Sequence, residues 1–214
     1  MSSLSSSYIL EVYNARNIIL ELLKHQKYDV SEYTTFSVNE INSMYSNSQL
    51  DMLVERQSDG SKVYVKHMLN NNNKQIRKEN LDELVEDLFD IENVLTNKEK
   101  DTIIVISEEE PNDTITTKLK YLYDHDGVFV VVHNIKRLQF NILKHTLVPE
   151  IDILDKDEVA RLKIEKNFDK VSSLPEISRF DPQALAVGLR PKQICRLIRK
   201  SVTSVDATYY RVCV

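Results

Sequence analysis

The segment from Asp181 to Ser201 reads DPQALAVGLRPKQICRLIRKS and differs in charge from the rest of the chain. The chain of 214 residues has a formal net charge of -5 at pH 7, yet this segment contains five basic residues and a single acid. It also contains two of the five prolines and one of the three glycines. A basic segment rich in turn-forming residues, within an acidic protein, predicts an ordered unit with one positively charged surface.

The order of residues in this segment predicts a short helix followed by a strand. Asp181 is a typical helix N-cap, and Pro182 suits the first helical position because it needs no backbone N–H there. Gly188 suits a C-cap that requires a positive φ. From Arg190 to Lys200 we expect a strand whose cations face solvent, where they either pair with acids or phosphates or protect a sheet edge from aggregation.

Composition excludes several classes of functional site. The three glycines, at 60, 127 and 188, are too far apart for a glycine-rich phosphate loop or a dinucleotide fingerprint. Cys195 and Cys213 form no Cys-x-x-Cys pair, so we expect free thiols rather than a zinc site or a disulfide framework. His133 and His145 have no neighbouring ligands and are expected at the surface or at an interface. We therefore expect no cofactor, no metal site and no small-molecule ligand.

No segment of the sequence predicts a membrane span or a secretion signal. The longest uninterrupted apolar run, Val128–Val132, is far shorter than the ~20 residues of a membrane helix. The N-terminal residues MSSLSSS lack the charged and then apolar order of a signal peptide. We therefore expect an intracellular protein without membrane contact.

Charge and proline content divide the chain into two parts. Residues 1–140 contain 15 Lys and Arg against 23 Asp and Glu, a net of -8, whereas residues 141–214 contain 13 against 10, a net of +3. Four of the five prolines lie between Pro149 and Pro191. We therefore predict an N-terminal domain over residues 1–140 and a C-terminal domain over residues 141–214.

The N-terminal part alternates helical and strand patterns, which predicts an α/β domain. One helix is expected over residues 8–25 with Ser7 as its N-cap, and another begins where Asn80 and Glu83 form a capping-box pattern. The remaining predicted elements are strands over residues 50–54 and 63–65 around a turn at Asp59-Gly60, a loop over 70–78, strands over 102–106 and 128–133, and a helix near 114–123.

The C-terminal part predicts a small α+β domain. Asp155 and Glu158 form a capping-box pattern that opens a helix ending near Asn167. Residues 193–200 and 208–214 are rich in β-branched and aromatic side chains and predict two strands. Leu197 and Ile198 cannot both face the core of a regular strand, so either a partner buries one of them or the strand contains a bulge. The cations expected on the wet faces of these strands are Arg196, Lys200 and Arg211.

One catalytic alternative arises from acids near the first predicted strand. Metal-dependent nucleases place two carboxylates and a lysine around a divalent ion that activates water. Asp51 and Glu55 are four residues apart, which places both on one face of a strand. The expected lysine partner is missing, since Arg56 points to the other face. We therefore treat a nuclease as the weaker interpretation.

The motifs of the last third of the chain follow one another in a recognisable order. Residues 145–154 read HTLVPEIDIL, residues 174–201 read LPEISRF followed by the segment quoted above, and residues 209–214 read YYRVCV. This order resembles the assembly domain of the fifth subunit of eukaryotic nuclear RNA polymerases, which has a shorter archaeal counterpart. The N-terminal helix, ending in ILELLKHQKYDV, is similar to the start of the additional jaw domain of the eukaryotic protein.

The resemblance implies a non-catalytic subunit of a multisubunit DNA-dependent RNA polymerase. Family members anchor through the assembly domain to the largest subunit, among neighbouring small subunits. The jaw domain, of nuclease-like topology without a catalytic site, would lie near downstream DNA. The matching positions expected at the partner interface are His145, Leu147, Val148, Pro149, Pro175, Asp181, Pro182, Gly188, Arg190, Arg196, Arg199, Lys200, Tyr210 and Arg211.

The sequence departs from the family pattern at several places, among them Ile151 where the family often has histidine, and Val202 and Val205 where it usually has glutamate and glycine. Lys192, after Pro191, stands where the family often has glycine, so we expect a different type of turn there. Residues 112–120 read NDTITTKLK where eukaryotic members carry a Thr-Pro-Ser-Ala-x-Lys loop near DNA. The side chains of this stretch that are able to contact phosphate are Thr116, Thr117, Lys118 and Lys120.

These departures leave other origins and roles open. A divergent paralogue acting as a free-standing transcription regulator, or a polymerase of a large DNA virus, would explain them. The expected location is the nucleus for a cellular protein, and the virion or host cytoplasm for a viral one. The acidic N-terminal part predicts only weak contact with downstream DNA, because phosphate neutralisation supplies most non-specific affinity.

Overall fold

The computed structural model describes residues 6–69, 76–201 and 203–214, and the chain divides into two units, Met1–Phe140 and Asn141–Val214. Both contain helices and a β-sheet, so the prediction of a mixed α/β protein is confirmed at that level. Among the described residues, no helix combines the length and the apolar character that a membrane crossing requires.

The N-terminal unit is a four-stranded sheet with helices. Strands are ordered β1-β2-β3-β4, with β1 antiparallel to β2 and the other neighbours parallel. Strands β3 and β4 are buried at every residue, as expected for parallel strands in the interior. The elements are α1 (Ser6–His25), α2 (Val38–Ser46), β1 (Met52–Glu55), β2 (Lys62–Met68), α3 (Lys78–Glu86), a π-helical segment (Asp87–Ile91), β3 (Thr102–Ser107), α4 (Asp113–Asp126) and β4 (Phe129–Asn134).

Two predicted helix starts in this unit are wrong. Helix α1 already includes Ser6, so Ser7 lies inside the helix and is not its N-cap. Helix α3 begins at Lys78 after Arg77, which makes no side-chain capping bond, so the Asn80–Glu83 pattern lies inside the helix. A capping box does occur at α2, where Ser37 and Glu40 bond to each other's backbone amides. The loop predicted over residues 70–78 falls mainly on 70–75, outside the described residues.

The C-terminal unit is a second four-stranded sheet, ordered β5-β7-β8-β6. Strand β7 pairs antiparallel with β5 and β8, and β6 pairs parallel with β8. Its capping predictions are confirmed: Asp155 and Glu158 form the capping box of α5, and Asp181 caps α6 with Pro182 in its first turn. The elements are β5 (Glu150–Ile153), α5 (Lys156–Lys166), β6 (Glu176–Ile177), α6 (Pro182–Val187), β7 (Ile194–Lys200) and β8 (Asp206–Cys213).

Apolar side chains of β7 contribute to two separate cores. Cys195 and Leu197 belong to one core with residues of β5, β6, α6 and β8, whereas Ile194 packs with Leu162 of α5. Ile198 is half-buried, and the pairing of β7 with β8 continues residue for residue through it. A bulge is therefore not the explanation for the Leu197–Ile198 pair: the strand is regular, and the two side chains alternate between its faces.

Candidate partner-binding site

Strand β7 begins at Ile194, one residue after the start of the strand predicted over residues 193–200 and four residues after Arg190, the start of the predicted basic segment. Its cations lie in different environments. Arg196 is half-buried, and its Nη2 donates to Asp152 Oδ2 at 2.9 Å on the neighbouring strand β5. Arg196 therefore stabilises the sheet internally, whereas Arg199 and Lys200 are exposed.

The far end of the β7–β8 hairpin is the most exposed part of this sheet. Its described turn contains Val205, which is 86% exposed. The guanidinium of Arg199 lies 5.8 Å from the centre of the Tyr209 ring, which is itself 49% exposed. Lys200 stands opposite Asp206 in the strand register. Sequence reasoning missed Val205 and Tyr209, although exposed apolar and aromatic residues are typical of protein interfaces.

Helix α6 precedes the β7–β8 hairpin, and hydrogen bonds fix both of its ends. The carboxylate of Asp181 accepts the Gln183 N–H at 2.9 Å, and the side chain of Gln183 donates to the Pro149 carbonyl at 2.6 Å. Gly188 ends the helix at φ 67° and ψ 37°, in the left-handed region predicted for it. Asp181, Gly188 and the carbonyl of Pro149 thus act within the fold, whereas the ring of Pro182 is exposed.

A tight turn follows between Arg190 and Gln193. Gln193 N–H donates to the Arg190 carbonyl at 3.1 Å, and the Gln193 side chain accepts the Arg190 N–H at 2.8 Å. Pro191 and Lys192 are the central residues, and Lys192 has φ 70°. Proline followed by a residue of positive φ is the pattern of a type II turn. The expectation that lysine would change the turn is therefore wrong, because Lys192 adopts the conformation that glycine usually provides.

Replacing Lys192 with glycine should stabilise the C-terminal unit by up to about 1 kcal/mol. The left-handed conformation costs an L-residue about 1–2 kcal/mol, and the greater backbone freedom of glycine in the unfolded chain offsets part of the gain. Native-state hydrogen exchange of β7 amides measures the change. Lys192→Ala serves as the control, since it removes the same side chain without relieving the backbone. Equal stability of the glycine and alanine variants would contradict a strained lysine.

The residues before β5 form an exposed corner. His145 is exposed, and its Nδ1 accepts the Leu147 N–H at 3.2 Å. The Leu147 side chain is 85% exposed. Val148 is half-buried, and its N–H donates to the His145 carbonyl at 3.0 Å.

The remaining predicted residues lie along the opposite edge of the sheet. Pro175 is exposed, and its carbonyl accepts the Val212 N–H at 2.9 Å. Arg211 Nη1 donates to the Glu176 carbonyl at 2.9 Å, which ties β6 to β8. The Tyr210 ring packs against the α5 core. The predicted residues that present exposed side chains are His145, Leu147, Pro175, Pro182, Arg199 and Lys200.

Both cysteines are buried and free, in the core on the α6 side of the sheet. Burial raises the pKa of Cys213 to about 11 and also raises the pKa of Cys195. Because the thiolate is the reactive form, both side chains are structural at neutral pH.

The four residues predicted near DNA lie on α4 in different environments. Lys118 donates to Asp82 at 2.6 Å, and Thr117 donates its hydroxyl to the Asp113 carbonyl at 2.7 Å. Thr116 is half-buried, whereas the side chain of Lys120 is exposed. Because the Lys118 ammonium group is paired with Asp82, it is less available to bind a phosphate.

The lysine expected beside Asp51 comes from the neighbouring strand. Lys66 Nζ donates to Asp51 Oδ2 at 2.7 Å, Tyr64 at 3.3 Å, and the His67 amide to Oδ1 at 2.9 Å. Burial alone would raise the pKa of Asp51, but the bonds from His67 and Lys66 lower it to about 2. Both carboxylate oxygens are thus occupied by protein donors. Across the described residues, no group of three or more His, Cys, Asp or Glu could hold a metal ion.

His133 is buried rather than at the surface. It lies on β4 opposite Ile106, and burial lowers its pKa to about 4 with a smaller contribution from Arg137. The signal was present in the sequence, because His133 directly follows the apolar run Val128–Val132 and so belongs to the same interior strand.

Sequence comparison assigns the C-terminal unit. Residues 140–213 match the family described as RNA polymerase Rpb5, C-terminal domain. The chain is 43% identical over 76 residues to DNA-directed RNA polymerase subunit Rpo5 of Pyrococcus abyssi, and 36% identical over 73 residues to that of Methanococcoides burtonii. Each match covers 92% of the archaeal protein and about a third of this chain, 36% and 34% respectively.

The chain belongs to the Rpb5/Rpo5 family of RNA polymerase subunits. The resemblance expected from the motifs of the last third of the chain is therefore confirmed, whereas the resemblance of the N-terminal helix to a jaw domain stays a prediction. The Rpb5 match coincides with the unit Asn141–Val214. It contains every predicted interface residue, from His145 to Arg211, although which of them contact a partner remains a prediction.

Proposed function

We propose that this chain is a non-catalytic subunit of a multisubunit DNA-dependent RNA polymerase. Its C-terminal unit anchors it to the largest subunit, among neighbouring small subunits, and its N-terminal unit forms part of the jaw beside downstream DNA. The catalytic site belongs to other subunits. The observations that carry this proposal are the match of residues 140–213 to the Rpb5 C-terminal domain and the matches that cover 92% of two archaeal Rpo5 proteins.

The surface of the C-terminal unit supports an anchoring role. Leu147, Val205 and Tyr209 expose apolar surface, and Arg199 and Lys200 add charge beside the last two. Aromatic and arginine side chains contribute much of the binding energy at protein interfaces. In contrast, residues 1–140 carry a net of -8, from 15 basic and 23 acidic residues. A jaw of this charge contacts DNA only weakly and within the assembled polymerase.

Affinity purification of the tagged full-length chain from its own cells, or from infected cells for a viral protein, tests the proposal. A core subunit recovers the two largest polymerase subunits in stoichiometric amounts, identified by mass spectrometry. Trace recovery would indicate a free-standing regulator instead. Incubation of the chain with plasmid and Mg²⁺ or Mn²⁺ tests the nuclease interpretation, in which cleavage must disappear in Asp51→Ala.

Substitution of Arg199 with glutamate should reduce recovery of the large subunits at least about tenfold while the fold stays intact. The side chain is exposed and its only described contact is with the Tyr209 ring, so charge reversal affects a partner surface more than the core. A loss of about 1.4 kcal/mol in docking corresponds to a tenfold change in affinity. Arg161→Glu, on exposed helix α5, is the control for charge. Normal assembly of Arg199→Glu would place the docking surface elsewhere.

A further inference from the structure

The sheet of the C-terminal unit has an open edge. Strand β8 extends over eight residues, from Asp206 to Cys213, whereas its outer neighbour β6 has two. Strand β6 pairs only with Val212 and Cys213. Among the described strands, none lies beside the outer edge of β8 from Asp206 to Arg211.

The register decides which backbone groups of β8 lie on this edge. The Cys213 N–H donates inward to the Gln193 carbonyl, whereas the Val212 N–H donates outward to the Pro175 carbonyl, each at 2.9 Å. Backbone groups alternate in direction along a strand. The N–H and C=O groups of Thr208, four residues before Val212, therefore point outward as well.

Pro175 marks the point at which the edge opens. Extending the parallel pattern of β6 by one step would bring the residue 175 amide to the Tyr210 carbonyl. Proline has no N–H to donate, so the ladder stops there. The outward carbonyl of Tyr210 and both outward groups of Thr208 are left for another donor and acceptor.

We propose that this edge of β8 receives an extended segment of a larger polymerase subunit as an added strand. The proposal rests on the function proposed above and names how the C-terminal unit is held. An added strand provides main-chain hydrogen bonds for affinity and places alternate side chains against each face for specificity. Five residues, Asp206 to Tyr210, give a strand about 16 Å long, within the ordinary range for β-strands.

The side chains around the edge indicate the chemistry of the segment. On one face, the Arg199 guanidinium lies over the half-exposed Tyr209 ring. Lys200 is exposed nearby, and Arg211 extends along the edge to the Glu176 carbonyl. Opposite charges and aromatic–apolar pairs stabilise neighbouring strands. The segment that fits therefore carries an apolar side chain beside Tyr209 on β8, and a carboxylate within reach of the long side chains of Arg199 and Lys200, which lie one strand further in on β7.

The composition of the edge favours a lasting partner over open solvent. Edge strands that remain free are usually protected by lysine, proline or a bulge. Strand β8 reads DATYYRVC, without lysine or proline; its two charged residues, Asp206 and Arg211, stand at the ends of the open stretch, and its register with β7 is unbroken. Thr, Tyr and Val are strong strand formers, so an uncovered edge of this kind would be a site of unwanted pairing.

Thr208→Pro and Thr208→Val form a matched test at one position. Proline removes the outward N–H and leaves the bonds from Ala207 and Tyr209 to β7, so an edge strand tolerates it. Valine keeps the N–H and the strand propensity. Each full-length variant is co-purified with the polymerase, and circular dichroism checks that it is folded. We expect Thr208→Val to recover the large subunits as the parent does, and Thr208→Pro to recover at least about tenfold less.

The outcomes separate this inference from the proposed function. If the parent chain recovers no large subunit, the proposed function fails. If the parent and both variants assemble equally, only the added strand is wrong. Hydrogen exchange gives a second measure, because the Thr208 amide must exchange much more slowly in the polymerase than in the free chain. A parent chain that dimerises in solution while Thr208→Pro is monomeric would assign the edge to a second copy and overturn the proposal.

Discussion

Replacing His133 with leucine should reduce the acid destabilisation of the N-terminal unit between about pH 6.5 and pH 4 by about 3 kcal/mol. The His133 side chain is buried on β4, where burial holds its pKa at about 4, with Arg137 adding to the effect. An unfolded chain gives histidine its ordinary pKa of about 6.5. Between these two values the unfolded state binds a proton that the folded state does not.

Because the unfolded state binds more protons in this range, the free energy of unfolding decreases as the pH falls. His133 has a lower pKa in the folded state than in the unfolded state. Its contribution to stability is therefore fully present above about pH 6.5, the pKa in the unfolded chain, and is lost as the pH falls toward about 4, the pKa in the folded protein. A separation of about 2.5 pH units corresponds to about 3 kcal/mol. Burial lowers the pKa of His67 too, so part of the acid sensitivity must remain in the variant.

Urea unfolding followed by circular dichroism at pH 7, 5.5 and 4 measures this effect. For each protein we compare the free energy of unfolding at pH 7 with that at pH 4. A change in packing caused by leucine affects both values equally and so cancels in their difference. His133→Leu should show a difference smaller by about 3 kcal/mol than the parent. A His67→Leu variant measures the other contribution. Unchanged acid sensitivity in His133→Leu would mean that His133 reaches water in the folded state.

Local sequence signals predicted the parts of the fold that depend on neighbouring residues. The capping box at Asp155, the cap at Asp181 and the positive φ of Gly188 were all readable, because each involves groups within a few positions. The capping box of α2 at Ser37 was equally local, yet only Ile41 and Tyr45 of that helix are buried. With so little apolar periodicity, the pattern did not stand out as a helix.

Features that depend on the pairing of distant segments could not be read from the sequence. Lys66 reaches Asp51 only because β1 and β2 are antiparallel in one register. Arg16 is fully buried, donates to the Leu50 carbonyl and lies within 6 Å of the ring centres of Tyr33 and Phe36, at 5.9 and 5.5 Å. The order of motifs identified the candidate interface. It could not show which cations are exposed, because that depends on ion pairs with residues of other strands, such as the pair of Arg196 with Asp152.

Substitution of Gly188 with valine should destabilise the C-terminal unit by about 2–3 kcal/mol. The residue ends α6 in the left-handed region, at φ 67°. An L-residue costs about 1–2 kcal/mol there, and a β-branched side chain costs more because it crowds the following carbonyl. The cap also directs the chain into the core, since the Leu189 N–H donates to the Ala184 carbonyl at 2.9 Å and the Leu189 side chain is buried.

Gly188→Asn is the matched control, because asparagine tolerates the left-handed conformation and should cost no more than about 1 kcal/mol. Native-state hydrogen exchange of β7 and β8 amides reports the stability of this unit separately from the N-terminal one. The valine variant should also lose polymerase recovery in proportion to its unfolded fraction, and recovery should return on cooling toward its temperature of maximum stability. Equal stability of the valine and asparagine variants would mean that the end of α6 rearranges. In that case the conformation of the turn at Lys192, which follows α6, would be determined by the sheet and not by the cap of the helix.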